Sequence, residues 1–125
     1  MFTIIFPVLN ERLRLESGVT RTVEYLQSIA FEDYEIIIVD NGSEDETPQI
    51  AENLCKKYDK VKYERINVRG VGAAFRRGVE VSHGDVVGYM DIDLSTNIRH
   101  LGEAIHLFET QLSLIHISEP TRLQL

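Results

Sequence analysis

The chain has 125 residues, a length that suits one small domain and not two. Its 43% hydrophobic and 26% charged residues are ordinary for a globular protein. A net charge of −7 excludes a general nucleic-acid binder, which carries a basic face, while leaving room for a local basic pocket.

In chain order, the first element is a strand over Thr3–Val8, "TIIFPV". A helix follows over Ser17–Ala30, with Val19, Val23, Leu26 and Ile29 at helical spacing and Ser17 as its N-cap. Glu35–Asp40, "EIIIVD", predicts a second strand. Thr47–Tyr58 predicts a second helix, with Pro48 in its first turn, where proline is tolerated. Cys55, the single cysteine, falls on the apolar side of that helix and reads as a small core residue. One cysteine also excludes an internal disulfide framework and suits a reducing compartment. A third strand is predicted over Val61–Arg65, a third helix over Val71–Ser82 closed by His83-Gly84, and a fourth strand over Val86–Asp91. A fourth helix over Asn97–Leu112 carries Leu101, Ala104, Ile105 and Phe108.

The first, second and fourth strands are almost continuously apolar, as strands covered on both faces are. The alternation of strands and helices predicts a doubly wound, mostly parallel α/β sheet of Rossmann-like form with right-handed crossovers. Ser113–Leu125 breaks the helical spacing at Ser113 and contains Pro120, so it is expected to be a foreign or disordered tail, with the domain ending at 112, the alternative being a native strand and turn. The opening "MFTIIFPVL" lacks a basic start and is cut short by Pro7 and Asn10-Glu11, so it is not a signal peptide. No run approaches the about 20 apolar residues of a membrane helix, and membrane association would depend on parts outside this chain.

Ligands of such sheets bind beyond the carboxyl ends of the strands. Three polar clusters fall there: "PVLNE", "VDNGSEDET" and "DIDLST". In the last, Asp91 and Asp93 follow a buried strand, and alternate residues of a regular strand point the same way. Two adjacent carboxylates raise each other's pKa unless a cation neutralises them. Hard oxygen donors suit magnesium or manganese, which keep positions open for phosphate oxygens, so the pair points to a metal–diphosphate site.

Asp40 either accepts hydrogen bonds from a nucleobase or caps the Asn41-Gly42 turn and the following helix, jointly with Ser43 or Asp45. Pro7 can lie against a flat ring, and Glu11 either binds base or ribose donors or starts a helix. In "NVRGVGAAFRRG", Gly70 and Gly72 let backbone approach an anion at a helix N-terminus. It is not the dinucleotide fingerprint, because Phe75 stands where the third glycine is needed. Arg69, Arg76 and Arg77 give local positive charge, facing either a phosphate or water. His83, His100, His106 and His116 show neither metal spacing nor a nucleophilic triad.

Read together, "FPVLNE", "IIIVDNGSEDET", "NVRGVGAAFRRGV" and "SHGDVVGYMDIDLST" resemble, in order and spacing, the family 2 glycosyltransferases of the GT-A fold. The resemblance runs from about Thr3 to about Phe108. The stretch from Gly70 to Ser95 is most similar to the polyprenyl- or dolichyl-phosphate mannosyl- and glucosyltransferase branch. It implies a site for a UDP- or GDP-linked nucleotide-diphosphate sugar. Pro7, Leu9 and Glu11 would line the nucleotide, Asp40 would read the base, and Arg77 falls near a basic position of the family. Asp91, Ile92 and Asp93 form its Asp-x-Asp, with Asp91 and Ile92 on the nucleotide sugar and Asp91 and Asp93 on Mg2+ or Mn2+. Asn41 stands where many members have a second aspartate.

The implied reaction is metal-dependent, inverting sugar transfer to an acceptor such as a polyprenyl phosphate or a glycan, in glycolipid or cell-wall synthesis. Bound metal would stabilise charge on the departing diphosphate. A hydroxyl acceptor needs a general base, whereas a phosphate acceptor is already anionic. The base and the acceptor half are expected after the Asp-x-Asp, so the chain reads as a truncated donor-binding part, weakly active or inactive alone. The implied location is cytoplasmic, including the cytoplasmic face of a membrane. Two competing readings are a sugar nucleotidyltransferase and a non-catalytic nucleotide-binding module. The first wants a glycine- and lysine-rich loop where "NERLRLESG" stands. A receiver-like module wants an aspartate where the third strand ends in Arg65-Ile66-Asn67.

Overall fold

The computed structural model describes residues 1–94, 98–114 and 123–124. Within them run β1 (Phe2–Val8), α1 (Leu15–Ser28), β2 (Tyr34–Asp40), α2 (Thr47–Lys57), β3 (Val61–Arg65), α3 (Val71–Val81), β4 (Val86–Tyr89), α4 (Ile98–Leu114) and β5 (Leu123–Gln124). The strands form one sheet in the order β3-β2-β1-β4-β5, and every pair is parallel. All seven residues of β2 are buried, as are six of the seven in β1. Both strands lie inside the sheet with helices over them, which is why they carry no polar alternation.

The larger core lies between the sheet and three helices. Phe2, Ile4, Phe6, Ile36 and Ile38 pack with Leu15, Val19 and Leu26 of α1, Ala51 and Leu54 of α2, and Leu101, Ile105 and Phe108 of α4. On the other face Ile5, Ile37, Val39 and Val87 pack under Ala74 of α3. Chain path explains the division. β1, β2 and β3 step outward in one direction, and the chain then returns past β1 to β4, so a right-handed crossover must travel over the opposite face.

Several predicted boundaries shift. α1 begins at Leu15 with Arg14 at its N-cap, so Ser17 lies inside the helix instead of capping it. The first turn is set earlier, because the Glu11 carbonyl accepts from both Arg14 N (3.1 Å) and Leu15 N (2.9 Å). α2 starts at Thr47 as predicted, with Pro48 in its first turn. β4 ends at Tyr89, two residues short of Asp91. α4 continues through Ser113 to Leu114, past the break expected at Ser113. The expected tail contributes β5, which pairs with Val86 and Val87, while 115–122 and 125 lie outside the described residues, as do Ser95, Thr96 and Asn97. Among the described residues no helix is long and apolar enough to cross a membrane.

Candidate functional site

The sheet order reverses at β1, whose two neighbours β2 and β4 begin opposite connections. A crevice at such a switch point, beyond the carboxyl ends of β1 and β4, is where this architecture binds ligands. Pro7 marks it. β1 and β4 are in register only from Phe2↔Val86 to Ile5↔Tyr89, and Met90 N then donates to the Ile5 carbonyl (3.0 Å). Alternation along the strand turns the nitrogen of residue 7 to that same side, where β4 has already left the sheet. Proline there forfeits no ladder donor to β2.

Asp91 and Asp93 follow this divergence, but not on a strand. Leu94 N donates to the Asp91 carbonyl (3.0 Å), so Asp91–Leu94 is a reverse turn, and the expectation that strand alternation aligns the two carboxylates does not hold. Asp91 opens the turn and Asp93 stands at its second corner, both exposed, and Leu94 closes it in the left-handed region (φ 56°). Ile92, between them, is 4% exposed and packs on α1. Its contact is Gly18, where a Cβ would stand 2.3 Å from the Ile92 carbonyl oxygen. The turn is thus fastened to α1 through the one residue of the triplet that points inward. Beside it lies a cleft of about 240 Å³ lined by Leu13, Arg14, Ser17, Arg21, Asp93 and Leu94.

Two exposed aspartates on one turn would offer a divalent cation hard oxygen donors. Among the described residues no cluster of three His, Cys, Asp or Glu side chains offers a closed cage. Carboxylate oxygens are the donor type that magnesium and manganese take.

Asp40 is fully buried at the end of β2. Its Oδ1 accepts from the backbone of Gly42 (3.1 Å) and Ser43 (2.8 Å), and its Oδ2 accepts from the Tyr63 hydroxyl (2.6 Å) and Arg65 Nη1 (3.4 Å). The turn-capping role is present, and two β3 side chains occupy the other oxygen. Burial and the bond to Asp40 push the Tyr63 hydroxyl up to about 12, so it stays protonated as the donor. Arg65 also donates from Nη2 to the Ser43 carbonyl (2.9 Å).

Asn41, 6% exposed, ties this corner to the loop before α3. With the amide turned so that its nitrogen faces them, Asn41 donates to the carbonyls of Gly70 (3.0 Å) and Val68 (3.3 Å). Gly70 holds φ 125°, which only glycine takes readily, whereas Gly72 has open space beside it and no such requirement.

The Asn10-Glu11 segment is laced to the next loop. Asn10 N donates to Ser43 Oγ (2.8 Å), Glu44 N to Asn10 Oδ1 (2.9 Å), and Glu11 N to Thr47 Oγ1 (2.9 Å). Asn10 sits in the left-handed region (φ 53°), which asparagine tolerates. The Glu11 carboxylate pairs with Arg14 (3.2 Å), and Leu9 is 38% exposed at the rim. Pro7, Leu9, Glu11, Asp40, Asp91 and Asp93 thus all lie at the carboxyl ends of β1, β2 and β4. Arg77 does not join them. It lies in the second half of α3, where Glu64 (2.5 Å) and Glu80 (3.3 Å) hold its guanidinium. Arg69 and Arg76 are exposed.

A larger cavity, about 570 Å³, runs along the β3 edge past Lys56, Lys62, Glu35 and His83, away from the crevice. We place the site at the crevice, because the strand divergence, the acidic turn and the bonded loops converge there. Sequence reasoning missed Gly18, Tyr63 and Arg65. Gly18 is one glycine in a helix. Tyr63 and Arg65 matter only through the pairing of β3 with β2, which places Arg65 opposite Asp40.

A family model described as glycosyl transferase family 2 matches residues 3–117. Glycosyltransferase AglD of Haloferax volcanii is 37% identical over 105 residues, 82% of this chain and 17% of that protein. Dolichyl-phosphate beta-glucosyltransferase of Mus musculus is 36% identical over 101 residues, 75% of this chain and 31% of its own length. Among solved structures, glucosyl-3-phosphoglycerate synthase from Mycobacterium tuberculosis, in complex with Mn2+, UDP and phosphoglyceric acid, superposes with a TM-score of 0.55. It is 25% identical and covers 73% of this chain and 32% of that chain. The chain therefore spans less than a third of the length of each of these proteins.

Proposed function

Because the chain belongs to glycosyl transferase family 2, we propose that its crevice binds a nucleotide-diphosphate sugar, linked to UDP or GDP, as the donor side of a sugar-transfer site. The observation that carries this is the Asp91–Leu94 turn, held on Gly18 at the switch point with both aspartates exposed. Asp91 and Asp93 would hold Mg2+ or Mn2+. When bound, that ion supplies positive charge to the diphosphate as it leaves. The UDP and Mn2+ in the mycobacterial enzyme support the assignment.

The chain's own residues do the positioning. Ile92 anchors the turn, and the bonds from Asn10 and Glu11 to the Ser43–Thr47 loop fix the wall where Pro7 and Leu9 meet the nucleoside. Such pre-set geometry is what lets a donor bind ready for displacement at its anomeric carbon. The acceptor, whether a polyprenyl phosphate (as the dolichyl-phosphate relative supports) or a glycan, and any general base are assigned to the larger part of the relatives' length beyond this match. Within this chain the donor-binding part is 1–112, and action at the cytoplasmic face of a membrane belongs to the same proposal.

Thermal shift with UDP, GDP and ADP, each with and without Mn2+, tests it. UDP or GDP raises the melting temperature, and Mn2+ enlarges the shift. Asp93→Ala abolishes the Mn2+-dependent part. No response to any nucleotide, with or without metal, would refute the reading.

A further inference from the structure

The acceptor capacity of Asp40 is already used. A carboxylate offers about four lone-pair sites, and four donors stand on this one: Gly42 N, Ser43 N, the Tyr63 hydroxyl and Arg65 Nη1. Its exposure is zero. A base arriving at this corner cannot reach it without displacing a buried bond. The other polar groups here are also committed: the Ser43 carbonyl to Arg65, and the Asn41 amide to the α3 loop.

Arg65 differs. Its side chain is 43% exposed, and a guanidinium has five N–H donors to share between its partners Asp40, Ser43 and Tyr63 and an arriving ligand. It stands opposite Asp40 in the β3–β2 register, at the carboxyl end of the edge strand. The acidic turn follows β4, three strands away across the sheet, a separation of roughly 14 Å at the usual strand spacing. A nucleoside diphosphate laid along this rim with its phosphates at that turn would bring its base, and not its diphosphate, to the Arg65 corner.

Building on the nucleotide-sugar reading above, we propose that Arg65 reads the base, with Asp40 as the residue that positions it. A guanidinium has donors and no acceptor, and it keeps its charge at every working pH. It therefore favours uracil and guanine, which present a carbonyl oxygen at the position where cytosine and adenine present an amino group.

Calorimetry of the 125-residue chain in Mn2+ with UDP, GDP, CDP and ADP tests this. The wild type binds UDP about tenfold or more tighter than CDP, the scale of one hydrogen bond from a charged donor. Arg65→Met, which keeps the stem and removes the donors, brings the two within about threefold. Because that variant strips a partner from a buried carboxylate, a second measurement uses the wild type alone. 4-thio-UDP, whose sulfur is a poor acceptor, binds several-fold more weakly than UDP. Equal wild-type binding of UDP, CDP and 4-thio-UDP, or a UDP-to-CDP ratio unchanged by Arg65→Met, overturns the proposal. Binding of no nucleoside diphosphate by the wild type removes the parent reading and this one with it.

Discussion

At the scale of single residues, the site depends on which polar groups are donors and which are acceptors. Asn41 shows this. Two carbonyls, of Gly70 and Val68, face its side chain, and an amide nitrogen satisfies both. Aspartate has the same shape but offers only acceptors. Asn41→Asp is expected to set a carboxylate against two carbonyls and to free the loop before α3. The cost is about 1–3 kcal/mol, the scale of buried polar groups left unpaired. A lower urea midpoint with an unchanged slope would show it. An unchanged midpoint would mean the amide does not hold that loop. Sequence shows the asparagine, but not the two carbonyls that make its amide matter.

Elements position these residues through close approaches. The turn after β4 rests on α1 because Gly18 has no side chain, and α4 meets α1 in the same way, since a Cβ on Gly102 would stand 2.0 Å from the Tyr25 hydroxyl. The two contacts differ in tolerance, as Tyr25 ends in a flexible side chain and Ile92 presents backbone to Gly18. Gly18→Ala therefore pushes the turn off the helix. We expect a loss of about 1–3 kcal/mol, the range of overpacking, together with loss of the Mn2+-dependent nucleotide shift. Gly102→Ala is expected to keep that shift. Thermal melts of both variants with UDP and Mn2+ would check this, and retention of the metal effect in Gly18→Ala would count against the anchoring role.

For the whole molecule, the end of the sheet opposite the crevice carries its own polar lock. Glu35 is 3% exposed and accepts from the Thr3 hydroxyl (2.7 Å) and from His83, through its backbone nitrogen (2.5 Å) and imidazole (3.2 Å). It joins β1, β2 and the α3–β4 connection. Burial alone would push its carboxyl up, but the bonds from His83 and Thr3 outweigh this and hold it below its usual 4.5. A depressed folded-state pKa means stability present above 4.5 and lost as pH falls from there through the folded value. Wild type should thus lose more stability between pH 7 and acid than Glu35→Gln, measured as the fall in urea midpoint. Parallel profiles would show that Glu35 carries none of the acid sensitivity.

The sequence by itself determined the strand–helix alternation and the placing of three polar clusters at carboxyl ends, because burial on both faces writes itself as unbroken apolar runs such as "EIIIVD". It also brought out Asp91 and Asp93, since paired acids after a buried strand need a compensating charge. Only the tertiary structure decided that those acids sit on a turn pinned by Gly18, that Arg77 faces Glu64 and Glu80, and that Arg65 and Tyr63 occupy Asp40. Each depends on contacts between residues 3 to 74 positions apart, and local periodicity carries no record of which distant side chain will complete a hydrogen bond or fill a glycine's empty space.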